Sequence, residues 1–222
     1  MQTFDIDLAQ VGTGLVFPAQ VEQMDWIGFH GTSSYYSPQI ESDGFSNMAK
    51  PLAAEDVKLV VDLTRRLGLD WERVDGFRQL KSISFSSVSE IALDYSRPNS
   101  LGGQGVGYVS DAVNQIIEDH FDQISSIEAA QLQSIRATVD AIRGSDPVIY
   151  AVDLKGLTLI QFQIITAGIY VFESIPPVRI IAKLRVSSPV KYDRINAKAL
   201  REGIRNLARS RESHFTKLIA QG

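Results

Sequence analysis

Three residues in a row, His30, Gly31 and Thr32, offer the most chemistry in this chain, and they follow an apolar run of Trp26, Ile27 and Phe29. An imidazole can donate, accept or carry a proton near neutral pH. A glycine beside it leaves the main chain bare, so a flat polar ligand can lie against backbone atoms. The order predicts a strand ending at His30 to Thr32, then a short helix opened by Ser37 and Pro38 and closed by Gly44. The chain has two other histidines. His120 falls beside the apolar stripe of a polar-rich helical stretch, and His214 falls on a C-terminal helix, so both read as structural. With no cysteine in the sequence, thiolate nucleophiles, thiolate metal sites and disulfides are excluded.

The elements around these residues follow from apolar periodicity. Residues 54–67 repeat Val57, Val60, Val61 and Leu67 at helical spacing, with Gly68 as a stop. Residues 81–86 read as a strand with Ile83 and Phe85 on one face. Ser87 then opens a helix to about Tyr95, with Glu90 three residues on as in a capping box. The glycine-rich 101–107 reads as a loop and lacks the Gly-Lys-Ser/Thr ending of a phosphate-binding loop. A long helical stretch over 110–143 carries a stripe from Val113, Ile116 and Phe121 through Ile127 and Leu132 to Ile142. Strands follow at 147–153, 157–165, 168–173 and 178–187, punctuated by Gly156, Gly168 and Pro176-Pro177. An amphipathic helix at about 195–220 closes the chain. Strands early and clustered late, with helices between and after, make an α+β fold.

Bulk composition narrows the setting. At 222 residues, 44% hydrophobic and 22% charged, the chain has the make-up of a globular protein with one well-buried domain. No apolar run is long enough to span a membrane, and the N-terminus lacks the basic-then-apolar order of a Sec signal. The expected location is the cytoplasm, or a host cell reached by a non-Sec route. The net charge of −4 is uneven: from Arg179 onward eleven Lys and Arg face three acids, +8 against −12 for the rest. Such a tail suits nucleic acid, or a cationic helix resting on the acidic body of its own domain.

Taken in order, FHGTS at 29–33, SISFSSVSEIALDYS at 82–96 and GIYVFESIPPVRIIAKLRV at 168–186 resemble the ADP-ribosyltransferase superfamily. The resemblance covers residues 25–96 and 147–187, about half the chain. It implies an ADP-ribosyltransferase-like split β-sheet core in a single domain over 1–222. A helical insertion at about 101–145 and a C-terminal basic helix at about 195–221 complete it. It further implies an NAD-dependent mono-ADP-ribosyltransferase, a glycosyltransferase acting on a protein side chain as a bacterial effector or toxin would.

By the resemblance His30 bonds a ribose hydroxyl of NAD, and the Gly31 backbone pairs with the nicotinamide amide. Tyr95 stacks on the nicotinamide ring, with Tyr36 a weaker candidate for its other face, and Ala92 is the small residue of that helix. Thr32, Ser84, Phe85, Ser86 and Ser87 complete the NAD-binding set, Ser86 or Ser87 bonding the carboxamide or ribose. No metal is implied.

The chain departs from the family pattern at two places. Ser84 stands where histidine-type members have tyrosine, and Phe85-Ser86-Ser87 resembles the serine-threonine-serine segment of arginine-type toxins. The family glutamate, about seven residues before Ile175, falls on Gly168. The acid on this strand is Glu173, which the resemblance therefore makes the catalytic carboxylate, while Gln161 and Gln163 echo a Gln-x-Glu pair with amide for acid. The segment AGIYVFESIPPVRI also resembles the ending of RNA 2′-phosphotransferases, which use NAD without that glutamate, although their N-terminal arginine-histidine lobe has no counterpart here. A degenerate fold that binds a partner without catalysis is the third reading.

Overall fold

The computed structural model describes residues 1–6, 14–46, 52–79, 82–96, 104–157, 160–163, 168–186 and 197–221. Seven strands form one sheet: β1 Gln2–Asp5, β2 Ile27–Ser33, β3 Ile83–Ser86, β4 Pro147–Asp153, β5 Ile160–Gln163, β6 Gly168–Val171 and β7 Ile180–Arg185. Their spatial order is β1-β7-β4-β2-β3-β6-β5. All neighbours are antiparallel except β1 and β7. Helices are α1 Ala19–Glu22, α2 Ser37–Asp43, α3 Ala54–Arg66, α4 Trp71–Gln79, α5 Ser89–Ser96, α6 Gln104–Asp119, α7 Ser126–Arg143 and α8 Ala197–Gln221. The fold is α+β. Among the described residues no helix is long and apolar enough to cross a membrane.

The sheet is nearly divided. Strand β2 registers with β4 along its whole length, and β3 does so with β6. Between β2 and β3 a single pair among the described residues, Phe29 and Ser86, joins the two halves. Alternation sends Phe85, Tyr150, Ile169 and Val171 into an apolar cluster on one face, and Phe29, Ile149, Ala151 and Leu184 into a cluster with Ala92 and Leu93 of α5 on the other. A third cluster joins α3, α4, α6 and α7, and Tyr36 packs against both it and the first. The helices of the 101–145 segment, α6 and α7, thus share one core with α3 and α4.

Several expectations need correction. His30 lies mid-strand, because the pairing with β4 continues to Ser33 and Pro147. Gly105 and Gly107 belong to α6 rather than to a loop, since Val106 and Val109 are buried from that helix. The 110–143 stretch is two helices parted by a 3-10 turn at Phe121–Gln123, which leaves Phe121 and Ile127 exposed instead of on the stripe. The strand at 147–153 is as read, those at 168–173 and 178–187 are shorter, and part of 157–165 lies outside the described residues. A capping box is present at Ser125 and Glu128, not at Ser87 and Glu90. Glu90 instead accepts the Gly14 amide at 2.6 Å, and α5 starts at Ser89.

Candidate functional site

His30 stands one residue past the pair that joins the two halves of the sheet, where β2 parts from β3. Its ring crosses that parting: Nδ1 lies 2.8 Å from the Ser84 carbonyl oxygen. A carbonyl only accepts, so Nδ1 carries the proton and the neutral ring keeps a lone pair on Nε2. Phe45 and Phe85 hold the ring edge-on, with centroids 4.9 and 5.6 Å away. This desolvation pushes the imidazole below the usual histidine range, although the bond to Ser84 works the other way. His30 is therefore a neutral, oriented acceptor at neutral pH.

The next residue is glycine because of a helix. A Cβ at Gly31 would lie 1.7 Å from the Ala92 carbonyl oxygen of α5, so the side of Gly31 that sequence reasoning left open to a ligand is filled by α5. Its backbone is not left-handed, so close approach alone demands glycine here. The same point would lie 3.0 Å from the Ser96 amide. That brings the backbone of α5 at Ser96, next to the exposed Tyr95, close to β2 on the face opposite the His30 ring. Thr32 is buried, in register with Val148.

On β3, Ser84 contributes its main-chain oxygen and Phe85 its ring. The two serines that follow differ. Ser86 Oγ accepts the Val88 amide at 3.0 Å, whereas Ser87 Oγ is buried with no hydrogen-bond partner among the described residues. Of the two, Ser87 has the hydroxyl to spare.

The Ile-Pro-Pro turn and the helix ending in Gly-Phe are in physical contact. Phe45 and Ile175 exchange two main-chain hydrogen bonds, of 2.9 and 2.7 Å. Gly44 ends α2 at φ 81°, and a Cβ there would meet the Ile175 carbonyl oxygen at 2.1 Å. The third motif is thereby tied through Phe45 to the His30 ring. No family model, curated protein or solved structure matches this chain.

Gly168, where the resemblance expects the glutamate, registers with Ser86, which registers in turn with Phe29 beside His30. That place carries no side chain. Glu173 lies five residues on, about 16 Å of extended chain, in a bend beyond β6 and two residues before the Phe45 partner Ile175. The chain after it reaches His30 through Ile175, whose partner Phe45 packs its ring against the imidazole. Of Gln161 and Gln163, only the strand backbone is described.

A polar row on the His30 face escaped sequence reasoning. His30, Tyr150 and Lys183 are in register across β2, β4 and β7. Helix α2 covers the row: the Tyr150 hydroxyl bonds Ser37 Oγ at 2.7 Å and Glu41 at 2.9 Å, and Lys183 Nζ bonds Glu41 at 2.6 Å. Burial raises the Glu41 carboxyl, but the bonds from Lys183 and Tyr150 outweigh it and hold the group below its usual range. The Tyr150 phenol is raised well above its ordinary value, chiefly by burial. The row fixes α2, and with it Phe45, over His30. Sequence signals for it exist only as a tyrosine and a lysine at inward-alternating strand positions. Among the described residues no cluster of His, Asp and Glu could hold a metal ion.

Proposed function

We propose that the parting between β2 and β3 binds NAD and that the chain is an NAD-dependent mono-ADP-ribosyltransferase. The observation that carries this reading is His30, neutral and fixed by Ser84 where the halves separate. Its Nε2 lone pair suits a ribose hydroxyl donor, and the Ser87 hydroxyl, without a partner among the described residues, suits a carboxamide or ribose oxygen, while Tyr95 stands on the opposite face of β2 and is not part of this contact set. In the reaction the bond from ribose C1′ to the nicotinamide nitrogen breaks, and an acceptor side chain on a second protein forms a bond to C1′. Glu173 takes the acceptor's proton and offsets the positive charge developing on the ribose.

A second reading rests on Gly168. With no carboxylate at the strand position beside His30, glutamate-independent NAD chemistry of the RNA 2′-phosphotransferase kind, or NAD binding without transfer, is the alternative. Labelled NAD incubated with the protein and a lysate separates these. Transfer of label to protein with nicotinamide release supports the first reading. Phosphate transfer from a 2′-phosphorylated RNA selects the second, and binding without turnover selects a binding module.

A further inference from the structure

The basic C-terminal helix turns one of its cations inward. Arg211 of α8 has a side chain 16% exposed, and its guanidinium forks between two stretches of chain. One branch donates to the Glu22 carbonyl at 2.8 Å and to the Glu22 carboxylate at 3.0 Å. The other donates to the Ser87 carbonyl at 2.9 Å. Glu22 lies just upstream of β2, in the half of the sheet that carries His30. Ser87 directly follows β3 and the one residue, Ser86, that pairs with β2. The guanidinium also lies 5.7 Å over the Phe29 ring, the other member of that pair. The Glu22 carboxylate is held in turn by Ser89 Oγ and the Phe17 amide. Two further contacts tie α8 to the chain entering β2: Phe215 against Trp26, and His214 against Asp25.

We infer that Arg211 is a positioning residue for the His30 site: by gripping the chain entering β2 and the chain leaving β3, it sets how far the two half-sheets part. Among the described residues one backbone pair joins the two half-sheets, so side-chain packing and the Arg211 grip set their separation, on which the Nδ1 bond from His30 to Ser84 depends. A forked guanidinium suits this task, because one planar group holds two acceptors in fixed geometry. The inference makes α8 part of the site and takes Arg211 out of any nucleic-acid surface. Its NAD arm rests on the reading proposed above, while its spectroscopic arm does not.

Removing Arg211 alone would leave Glu22 charged and buried, so the test replaces both: Glu22→Gln with Arg211→Met. Imidazole nitrogen NMR of His30 is the readout that a merely stabilising role would leave unmoved. In the folded double variant the protected Nδ1 proton is expected to be lost, and the ring to titrate closer to an ordinary histidine. If a tenth of the molecules retain the competent spacing, NAD binds about tenfold more weakly. A folded double variant with an unchanged His30 spectrum overturns the inference. Should the double variant fail to fold, Arg211→Lys decides by the same spectrum, since an ammonium keeps the charge without the fork. If the wild-type protein binds no NAD, the functional reading falls, and the His30 spectrum still decides the role of Arg211.

Discussion

Replacing Gly31 with alanine separates two explanations of the same glycine. If α5 requires it, the added methyl carbon meets the Ala92 carbonyl oxygen at 1.7 Å, the Ala92 carbonyl carbon at 2.7 Å and the Ser96 amide at 3.0 Å. All three are backbone atoms, so no side chain can swing aside. An ordinary carbon contact starts near 3.4 Å, so α5 must withdraw by about 1.5 Å or more from a strand it packs against closely. Overpacking of this kind costs about 3 kcal/mol. For a chain of this size that lowers Tm by about 6 to 12 °C. Thermal unfolding of Gly31→Ala without ligand, followed by circular dichroism, is the assay. A Tm within about 1 °C of wild type, with NAD affinity alone reduced, would refute the packing argument and return Gly31 to the role of ligand contact.

Further outcomes follow from the same geometry. The folded-state pKa of His30 is below its unfolded value of about 6.5, so the unfolded chain takes the proton first as pH falls. This part of the stability is present above pH 6.5 and lost as pH falls toward the folded pKa. Urea unfolding at pH 7.5, 6.5 and 5.5 should show that slope in the wild type and less of it in His30→Gln, with equal slopes counting against a desolvated neutral ring. Glu22 acts in the opposite sense: burial raises its pKa, so its share of the stability is present below about pH 4.5 and lost as pH rises through the folded value. In Glu22→Gln the wild-type loss of stability on raising the pH from 4.5 should be smaller. Tyr150→Phe removes bonds to Ser37 and Glu41 but leaves Lys183 on Glu41, and should cost about 1 kcal/mol in denaturant. Glu173→Gln should abolish transfer of label while NAD affinity stays nearly intact, and unchanged turnover removes Glu173 from catalysis.

Local pattern announced those elements whose partners lie close in sequence or whose periodicity is strong. The strand at 147–153 was legible residue for residue because one face alternates Val148, Tyr150 and Val152. The helix from Ser37 to Asp43 was legible from Pro38 and Gly44. Strand β1 was not, being four residues long, exposed along most of its length and formed only by pairing with β7. Helix α4 carries a weak stripe that periodicity does not pick out. The Ser-x-x-Glu pattern occurs at Ser87–Glu90 and at Ser125–Glu128, and only tertiary context separates them: Gly14 claims the Glu90 carboxylate.

For the site, the order of motifs named His30, the Gly-Phe helix end and the Ile-Pro-Pro turn, which meet at Phe45. The pairing of Phe45 with Ile175 shows how. It could not show that Gly31 faces a helix, or that Arg211 bridges the half-sheets, because those partners are over 60 and over 120 residues away.

Titration of the wild-type protein and His30→Ala with NAD, followed by calorimetry and by the His30 imidazole nitrogen signals, tests the NAD site most directly. Saturable binding by the wild type with a shift at Nε2, and binding at least about tenfold weaker in His30→Ala, is the predicted result. No NAD binding by the folded wild-type protein, or equal binding by both proteins, would contradict the claim that the parting between β2 and β3 is an NAD site.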